Sequence, residues 1–164
     1  MPGGIISSTS RFNNVGNGIY FGINLGADYR LHLGRADWKF WGNYSWTDGR
    51  IEKLNGETTF LPNISRHKIK SGLTFRYDKN YYITPRLNWI GRASGETRPL
   101  AEVSSYALFN LHLGVDNIID GLSGFLTITN LPNVRFFNVG GGTNSFTSSP
   151  QDPRRFFLGF KYKL

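Results

Sequence analysis

The stretch from Gly18 to Leu33 reads GIYFGINLGADYRLHL, and its apolar side chains fall on every second residue. Odd positions carry the apolar series from Ile19 to Leu33, whereas even positions carry mostly glycine, asparagine and charged residues. A period of two places alternate side chains on opposite faces of a β-strand. The run is much longer than the about five or six residues of an average strand. The sequence therefore predicts a long strand with one apolar face and one polar face.

The same alternation returns in further segments along the chain. They are Asp37–Thr47, Lys68–Tyr77, Tyr81–Trp89, Ala107–Asp116, Leu122–Ile128 and Phe156–Leu164. A weaker strand is expected from Gly4 to Phe12, which brings the total to about eight strands, and no segment shows the period of a helix. The chain is therefore expected to be all-β.

The connections between these strands alternate in length. Short turns are predicted at His32–Ala36, Asp78–Asn80 and Asn117–Gly121. Long polar loops are predicted at Arg50–Asn63, Arg92–Val103 and Gly140–Pro153. Because short and long connections alternate, all the long loops fall on one rim, which is typical of outer-membrane barrels.

The composition limits the classes of protein that the chain can be. Its 164 residues carry a net charge of +8, with 15% aromatic and only 18% charged residues. That mixture excludes a disordered chain. The absence of cysteine excludes disulfides and thiolate metal sites, and no apolar run is long enough to predict a transmembrane helix. The first residues, MPGGIISSTSRF, lack the pattern of a secretory signal peptide.

Two architectures share this alternation. A soluble sandwich or lipocalin-like barrel buries the apolar face, whereas a transmembrane barrel turns it toward lipid. Strand length, loop asymmetry and a charged polar face favour an antiparallel transmembrane barrel in the bacterial outer membrane. Aromatic residues near strand ends are expected to form interfacial girdles; they are Trp46, Tyr77, Tyr81, Tyr82, Trp89, Tyr106 and Tyr162.

In a transmembrane barrel the polar face lines the lumen. The charged residues expected there are Asp28, Arg30, Asp37, Lys39, Lys68, Lys70, Arg76, Arg86, Lys161 and Lys163. Cations outnumber carboxylates in this set. For any one of these residues, hydration and simple salt bridges are the first interpretation. A basic wall that faces an anionic partner is the second.

Five stretches, in order and spacing, resemble one family. They are WGNYSWTDGRI (Trp41–Ile51), LPNISRHKIKSGLTFRY (Leu61–Tyr77), SSYALFNLHLGV (Ser104–Val115), ITNLPNVRFFNVGGG (Ile128–Gly142) and PQDPRRFFLGFKYKL (Pro150–Leu164). Together they resemble the C-terminal part of the barrel of TonB-dependent outer-membrane receptors, from about Gly18 onward. The chain departs from the usual pattern at Leu164, where the family has Phe. It also departs at Pro132-Asn133, where Phe-Asp is commoner.

The resemblance implies a function without chemistry on a substrate. Receptors of this family take up a scarce nutrient, most often a ferric siderophore, with energy supplied through TonB. Their final strand, here FFLGFKYKL, is read by the barrel-assembly machinery. Residues 1–164 are expected to be a single barrel segment with no plug domain, whereas receptors of this type have about 22 strands around a plugged lumen. A self-contained eight-stranded barrel with a structural or adhesive role is the alternative.

No catalytic, cofactor-binding or metal-binding residue is assigned, and the substrate-binding residues stay unassigned. His32, His67 and His112 lie far apart in sequence, without the spacing of a metal site. The carboxylates form no evident acid–base pair, and Gly140-Gly141-Gly142 does not match a phosphate-binding loop. The basic residues are spread along the chain instead of clustered, so nucleic acid is not an expected partner. Outer-membrane lipid is the expected partner of the apolar face.

Overall fold

The computed structural model of the chain describes residues 16–60, 64–93, 103–139 and 148–163. Within these ranges the chain forms ten β-strands. Their bounds are β1 Gly16–Leu33, β2 Ala36–Lys53, β3 Thr58–Phe60, β4 His67–Tyr77, β5 Tyr81–Ile90, β6 Tyr106–Ile119, β7 Leu122–Thr129, β8 Phe137–Val139, β9 Ser148–Pro150 and β10 Arg155–Tyr162. In the same ranges, no helix is long and apolar enough to cross a membrane.

The main sheet is antiparallel and follows the order of the chain. Its strands run β1-β2-β4-β5-β6-β7-β10, and β3 folds back onto the far end of β2. A separate small hairpin joins β8 to β9. Neighbours in sequence are therefore neighbours in the sheet, which is the up-and-down arrangement of an outer-membrane barrel. The predicted all-β antiparallel fold is confirmed.

The register places the alternating apolar residues of all these strands on one side of the sheet. Ile23 lies opposite Trp46, Leu113 opposite Leu126, and Leu126 opposite Leu158. We call this side the apolar face and the other side the polar face. A shift of one residue in any strand would move its apolar residues to the wrong side, so the alternation fixes the register.

The apolar face is not covered by any part of the chain that the structure describes. Ile19 is 73% exposed and Leu158 is 70% exposed. Val103 is the one buried apolar side chain in the described ranges. A soluble sandwich or lipocalin-like barrel would bury these residues, so that alternative is wrong. Exposed apolar side chains of this size and number are what a lipid-facing wall requires.

The turns on one rim are as short as the sequence predicts. β1 passes to β2 through Gly34 and Arg35, and Gly34 has a φ of 60°. Asp78 and Lys79 take positive φ values of 53° and 63° between β4 and β5. Gly121 follows β6, with a φ of 76°. We call this end of the sheet the turn rim and the opposite end, where the long connections lie, the loop rim.

The long connections contain more strand than the sequence predicts. Within the predicted loop Arg50–Asn63, β2 continues to Lys53 and β3 pairs with it. Within the predicted loop Gly140–Pro153, Ser148–Pro150 pairs with Phe137–Val139. Backbone pairing continues beyond the apolar alternation because hydrogen bonding does not depend on which side chains face lipid. The predicted strand Gly4–Phe12 and the glycines at 140–142 lie outside the described residues.

The predicted aromatic girdles form only in part. Trp46 and Trp89 lie on the apolar face near the loop rim, and Tyr77 and Tyr81 face each other near the turn rim. By register, Tyr82 and Tyr106 belong instead to the polar face, which is also the side that the alternation of their segments assigns to even-numbered residues.

The two outer edges of the sheet are open. Among the described residues β1 pairs only with β2, and β10 pairs only with β7. The sheet is therefore an arc of barrel wall and not the closed eight-stranded barrel that was the alternative. Lipid does not tolerate an unpaired strand edge.

Candidate functional site

The candidate site is the polar face, which lines the lumen in a barrel. The register aligns its side chains in rows that cross the sheet from strand to strand. One row near the turn rim contains one residue from each of the seven strands β1, β2, β4, β5, β6, β7 and β10: His32, Asp37, Arg76, Tyr82, Gly114, Phe125 and Gly159. Its first half is ionic and its second half alternates aromatic rings with glycines.

The ionic half holds its charges in close pairs. The Nδ1 atom of His32 lies 2.5 Å from Oδ1 of Asp37. A guanidinium nitrogen of Arg76 lies 3.0 Å from Oδ2 of Asp116 and donates to the carbonyl oxygen of Lys79 at 2.6 Å. The same guanidinium stands 4.9 Å from the centre of the Tyr82 ring, within the range of a cation–π contact. These charges are therefore satisfied inside the protein.

The aromatic half explains the glycines of the polar face. A Cβ atom at Gly114 would collide with the ring of Tyr82, and one at Gly159 would collide with the ring of Phe125. Two rows higher, a Cβ at Gly72 would approach Trp41 within 2.7 Å. Each ring therefore lies across a glycine of the next strand, a cross-strand arrangement that helps fix register. A bulkier residue at any of these glycines would displace a ring into the lumen.

His112 lies at the centre of the polar face. Its Nδ1 atom is 2.7 Å from Oγ1 of Thr127, and its ring packs between Tyr82 at 5.4 Å and Phe125 at 5.6 Å. His67 faces the other way and bonds the hydroxyl of Tyr44 at 2.8 Å. In the described ranges, no group of three His, Cys, Asp or Glu side chains is close enough to hold a metal ion.

A hydroxyl pair bridges a break in the sheet. The ladder between β4 and β5 skips two residue pairs beside Pro85, which has no N–H to donate. There the hydroxyl of Thr84 donates to Oγ1 of Thr74 at 3.1 Å. Thr84 is only 5% exposed, so this side-chain bond substitutes for lost backbone pairing in the middle of the wall.

The other eight predicted lumen charges lie on the polar face or, for Lys163, directly after its last strand. Arg30 and Lys39 lie opposite each other, and Lys68 and Lys70 lie opposite Ser45 and Asn43. Arg86 lies opposite Asn110, Asp28 lies opposite Trp41, and Lys161 lies opposite Ser123 on the open strand β10. Lys163 follows that strand, and its backbone N–H donates to the carbonyl of Gly121 at 2.9 Å. Ion pairs are present only for Asp37 and Arg76 among the ten predicted residues, as far as the described ranges show.

The loop rim carries a pocket of about 490 Å³ that is lined by residues of β2, β3, the start of β4 and the end of β5. Arg66 organises its wall. The Nε atom of Arg66 lies 3.1 Å from Oδ1 of Asp48, and its guanidinium lies 4.6 Å from the centre of the Phe60 ring. The short strand β3 is thereby attached to the barrel wall through a charged side chain as well as through backbone pairing.

Asn130 positions the connection between β7 and β10. It is 4% exposed, has a φ of 50°, and uses its side chain as a substitute for backbone partners. The Nδ2 group donates to the carbonyl of Val134 at 2.8 Å, while Oδ1 accepts from the N–H of Val134 at 2.9 Å. Its own N–H donates to Oδ1 of Asn110 at 2.8 Å. Asn130 lies within the stretch Ile128–Gly142 that carries part of the family resemblance, yet its hydrogen-bonding role was not predicted.

An exposed ion pair joins two turns of the turn rim. The guanidinium of Arg35 binds the carboxylate of Asp78 through two nitrogens and lies 5.7 Å from the centre of the Tyr77 ring. The hydrogen bond and charge of Arg35 lower the pKa of Asp78. The same partner raises the pKa of Arg35. The pair therefore links the first turn to the second while both groups are ionised.

Comparisons with known proteins agree with this geometry. A family model described as TonB dependent receptor-like, beta-barrel matches residues 2–131. A chain in the structure of the FpvAI–pyocin S2 complex superposes with a TM-score of 0.65 at 15% identity. The match covers 87% of the present chain but only 20% of that one, and it shows the likeness of fold. No curated protein matches. With the family model spanning most of its length, the chain belongs to the TonB-dependent receptor-like β-barrel family.

Proposed function

We propose that the chain is a barrel-wall segment, from the C-terminal part, of an outer-membrane receptor that takes up a scarce nutrient such as a ferric siderophore. The observation that carries the proposal is the division of one continuous sheet into an exposed apolar face and a charged polar face. Such a wall separates lipid from an aqueous lumen. The family is one of receptors, not enzymes, and the proposal involves no catalytic residue and no cofactor.

The open edges support a segment of a larger barrel. Within the part of the chain that the structure describes, the outer edge of β1 has no partner strand along eighteen residues, and the outer edge of β10 has none along eight. Because a lipid-embedded edge must be paired, other strands of the complete receptor would cover both. The match to only 20% of a related chain agrees with this reading. We place residues 1–164 within that wall as a single segment without a plug.

The partners follow from the same proposal. Outer-membrane lipid contacts the apolar face, and TonB supplies energy to the complete receptor. The strand Arg155–Tyr162 is the segment that the barrel-assembly machinery would read, since its apolar residues alternate up to Tyr162. The cations of the polar face are distributed over several strands instead of forming a stripe, so nucleic acid is not a proposed partner.

The mass of the native product is the first test. An antibody against the segment Arg155–Tyr162 would be used on a purified outer-membrane fraction. We expect a band several times heavier than the 18.5 kDa of this chain, as for a complete receptor. A band near 18.5 kDa in that fraction would instead support a small self-contained barrel with a structural or adhesive role.

Energised uptake is the second test. Cells that carry or lack the gene would be supplied with radioactive iron as a hydroxamate chelate and as a catecholate chelate. We expect gene-dependent uptake of at least one chelate, and we expect a protonophore to abolish it because family members draw on the proton-motive force. Uptake that persists with the protonophore would contradict the receptor proposal.

A further inference from the structure

Two lysines of the polar face stand apart from the other charges. Lys68 and Lys70 are alternate residues of β4, so their side chains leave the same face about 7 Å apart along the strand. Lys68 is half-buried and Lys70 is exposed. Neither forms an ion pair with a carboxylate in the described ranges. Arg76, near the other end of the same strand, does form one. Their positive charge is therefore available to a ligand.

The cross-strand neighbours of these lysines carry no charge, and all of them except Ile90, which lies opposite Lys68 on β5, have hydrogen-bonding side chains. Across the strands, Lys70 lies between Asn43 and Asn88, and Lys68 lies opposite Ser45. Asn24 lies opposite Ser45 on β1 and extends the same row. Amide and hydroxyl side chains donate hydrogen bonds without neutralising an anion. The side chain of Asn43 lies over Gly26 on β1, where a Cβ atom would meet its Oδ1 at 2.8 Å.

The space above these residues is a shallow recess of about 610 Å³. Its lining includes Asn24, Asn43, Ser45, Thr47, Lys68 and Lys70. The carboxylates of the polar face lie elsewhere: Asp37 and Asp116 are paired near the turn rim, and Asp28 lies opposite Trp41. A recess with two cations, several neutral donors and no carboxylate in its lining attracts oxyanions.

We infer that Lys68 and Lys70, with Asn43, Asn24 and Ser45 of the same recess, form a binding site for a small ligand that carries carboxylate or phosphate groups. The inference rests on the proposed receptor function, since it gives the chemical class of solute that the lumen wall would recognise. The two lysines supply charge, and the amides and the hydroxyl orient the oxygens of the ligand. The site lies toward the loop rim, where a solute entering from the side of the long connections meets the wall first.

The other lysine pair of the polar face provides a matched control. Lys161 and Lys163 also alternate on one strand end, but Lys161 lies opposite Ser123 and Lys163 beside Gly121, at the turn rim. They have the same charge and spacing without the flanking amides. The double variants K68Q/K70Q and K161Q/K163Q therefore remove equal charge from two places on the same face.

The test is calorimetric titration of the complete receptor, purified in detergent, with inorganic pyrophosphate and with tricarballylate. We expect K68Q/K70Q to weaken binding by about tenfold or more, because each lost charged hydrogen bond contributes substantially to affinity. We expect K161Q/K163Q to change it less than about twofold. The variant K68R/K70R keeps the charge and should retain binding, and heat-modifiable gel mobility verifies that each variant is folded.

Two results would overturn the inference. One is a wild-type receptor that binds neither probe, and the other is equal weakening by both double variants, which would indicate general attraction by a basic lumen. The titration needs neither TonB nor a proton gradient, so it is independent of the uptake test. Loss of uptake with oxyanion binding intact would contradict only the proposed receptor function. Intact uptake without oxyanion binding would contradict only the proposed binding site.

Discussion

The two faces of the sheet are built on different principles. On the apolar face, side chains such as Ile19 and Leu158 are exposed and need only be compatible with lipid. On the polar face, the turn-rim row from His32 to Gly159 has defined partners at most steps, with ion pairs in one half and rings over glycines in the other. The apolar face therefore requires only side chains that are compatible with lipid, whereas the polar face requires particular side chains at particular positions. Substitutions should separate these two kinds of constraint.

The largest effect is expected from a charge on the apolar face. Arg86 and Leu87 are consecutive residues of β5, at the same depth on opposite faces. L87R should lower the free energy of unfolding in lipid vesicles by about 2–4 kcal/mol, because it places a guanidinium against hydrocarbon. R86L should change it by only about 0.5 kcal/mol. The midpoint of guanidinium unfolding, followed by tryptophan fluorescence, measures both. Equal losses would mean that the faces have been assigned wrongly.

The next effect comes from crowding on the polar face. G114A should cost about 1–3 kcal/mol, because the new methyl group meets the ring of Tyr82. The control is G42A on the apolar face, where the nearest atom is the Cβ of Ser71 at 4.0 Å and little change is expected. The same unfolding measurement applies. If G114A and G42A proved equally mild, the ring of Tyr82 would not be held over the glycine.

A smaller, local effect is expected at the loop rim. N130A removes the two bonds to Val134 and should speed hydrogen exchange at the Val134 amide by about tenfold, since one hydrogen bond is worth roughly 1 kcal/mol. N138A provides the control because the side chain of Asn138 is exposed and, among the described residues, accepts one hydrogen bond, from the hydroxyl of Tyr106 at 3.3 Å. Protection at Val134 should stay within about twofold there. Unchanged exchange in N130A would show that the connection is held by other contacts.

The smallest effect is expected on the stability of the protein at acidic pH. Asp78 has a pKa held below its ordinary value of 3.8 by Arg35. A lowered pKa contributes stability above the ordinary value, and that contribution disappears as the pH falls through the lowered pKa. Stability should therefore decline slightly on acidification below pH 3.8, and D78N should remove that part of the decline. The pair is exposed, so the change is small. A pH profile of D78N identical to that of the wild type would contradict the link between the two turns.

Sequence alone predicts which residues belong to the apolar face and which to the polar face, but it does not predict the contacts within the polar face. The run from Ile19 to Leu33 gives its strand and its apolar side directly, because alternate side chains of a strand point to opposite faces. The contacts of Tyr82 with Gly114, and of Phe125 with Gly159, join residues that only the register brings together. The hydrogen bonds of Asn130 are likewise invisible in sequence because a lone asparagine fits many turns.

The ends of the strands are the other part that pattern reading misses. The predicted loop from Arg50 onward hides the end of β2 and all of β3, since side chains there no longer alternate between lipid and lumen. The lysines at 68 and 70 were expected on the polar face and lie there. Their isolation from carboxylates, which distinguishes them from Arg76, depends on the strand order of the sheet.

The length of the first hairpin has a consequence for the surface of the cell. β1 and β2 pair over eighteen residues each, a ladder of about 60 Å. At a tilt of about 45° it rises roughly 42 Å, against a hydrocarbon core of about 30 Å. β4 and β5, with eleven and ten residues, fit that core without excess. In the outer-membrane setting proposed above, the far end of the first hairpin, with β3 attached, would therefore extend beyond the bilayer. In that setting it would be the portion of the chain that an antibody or a protease reaches first.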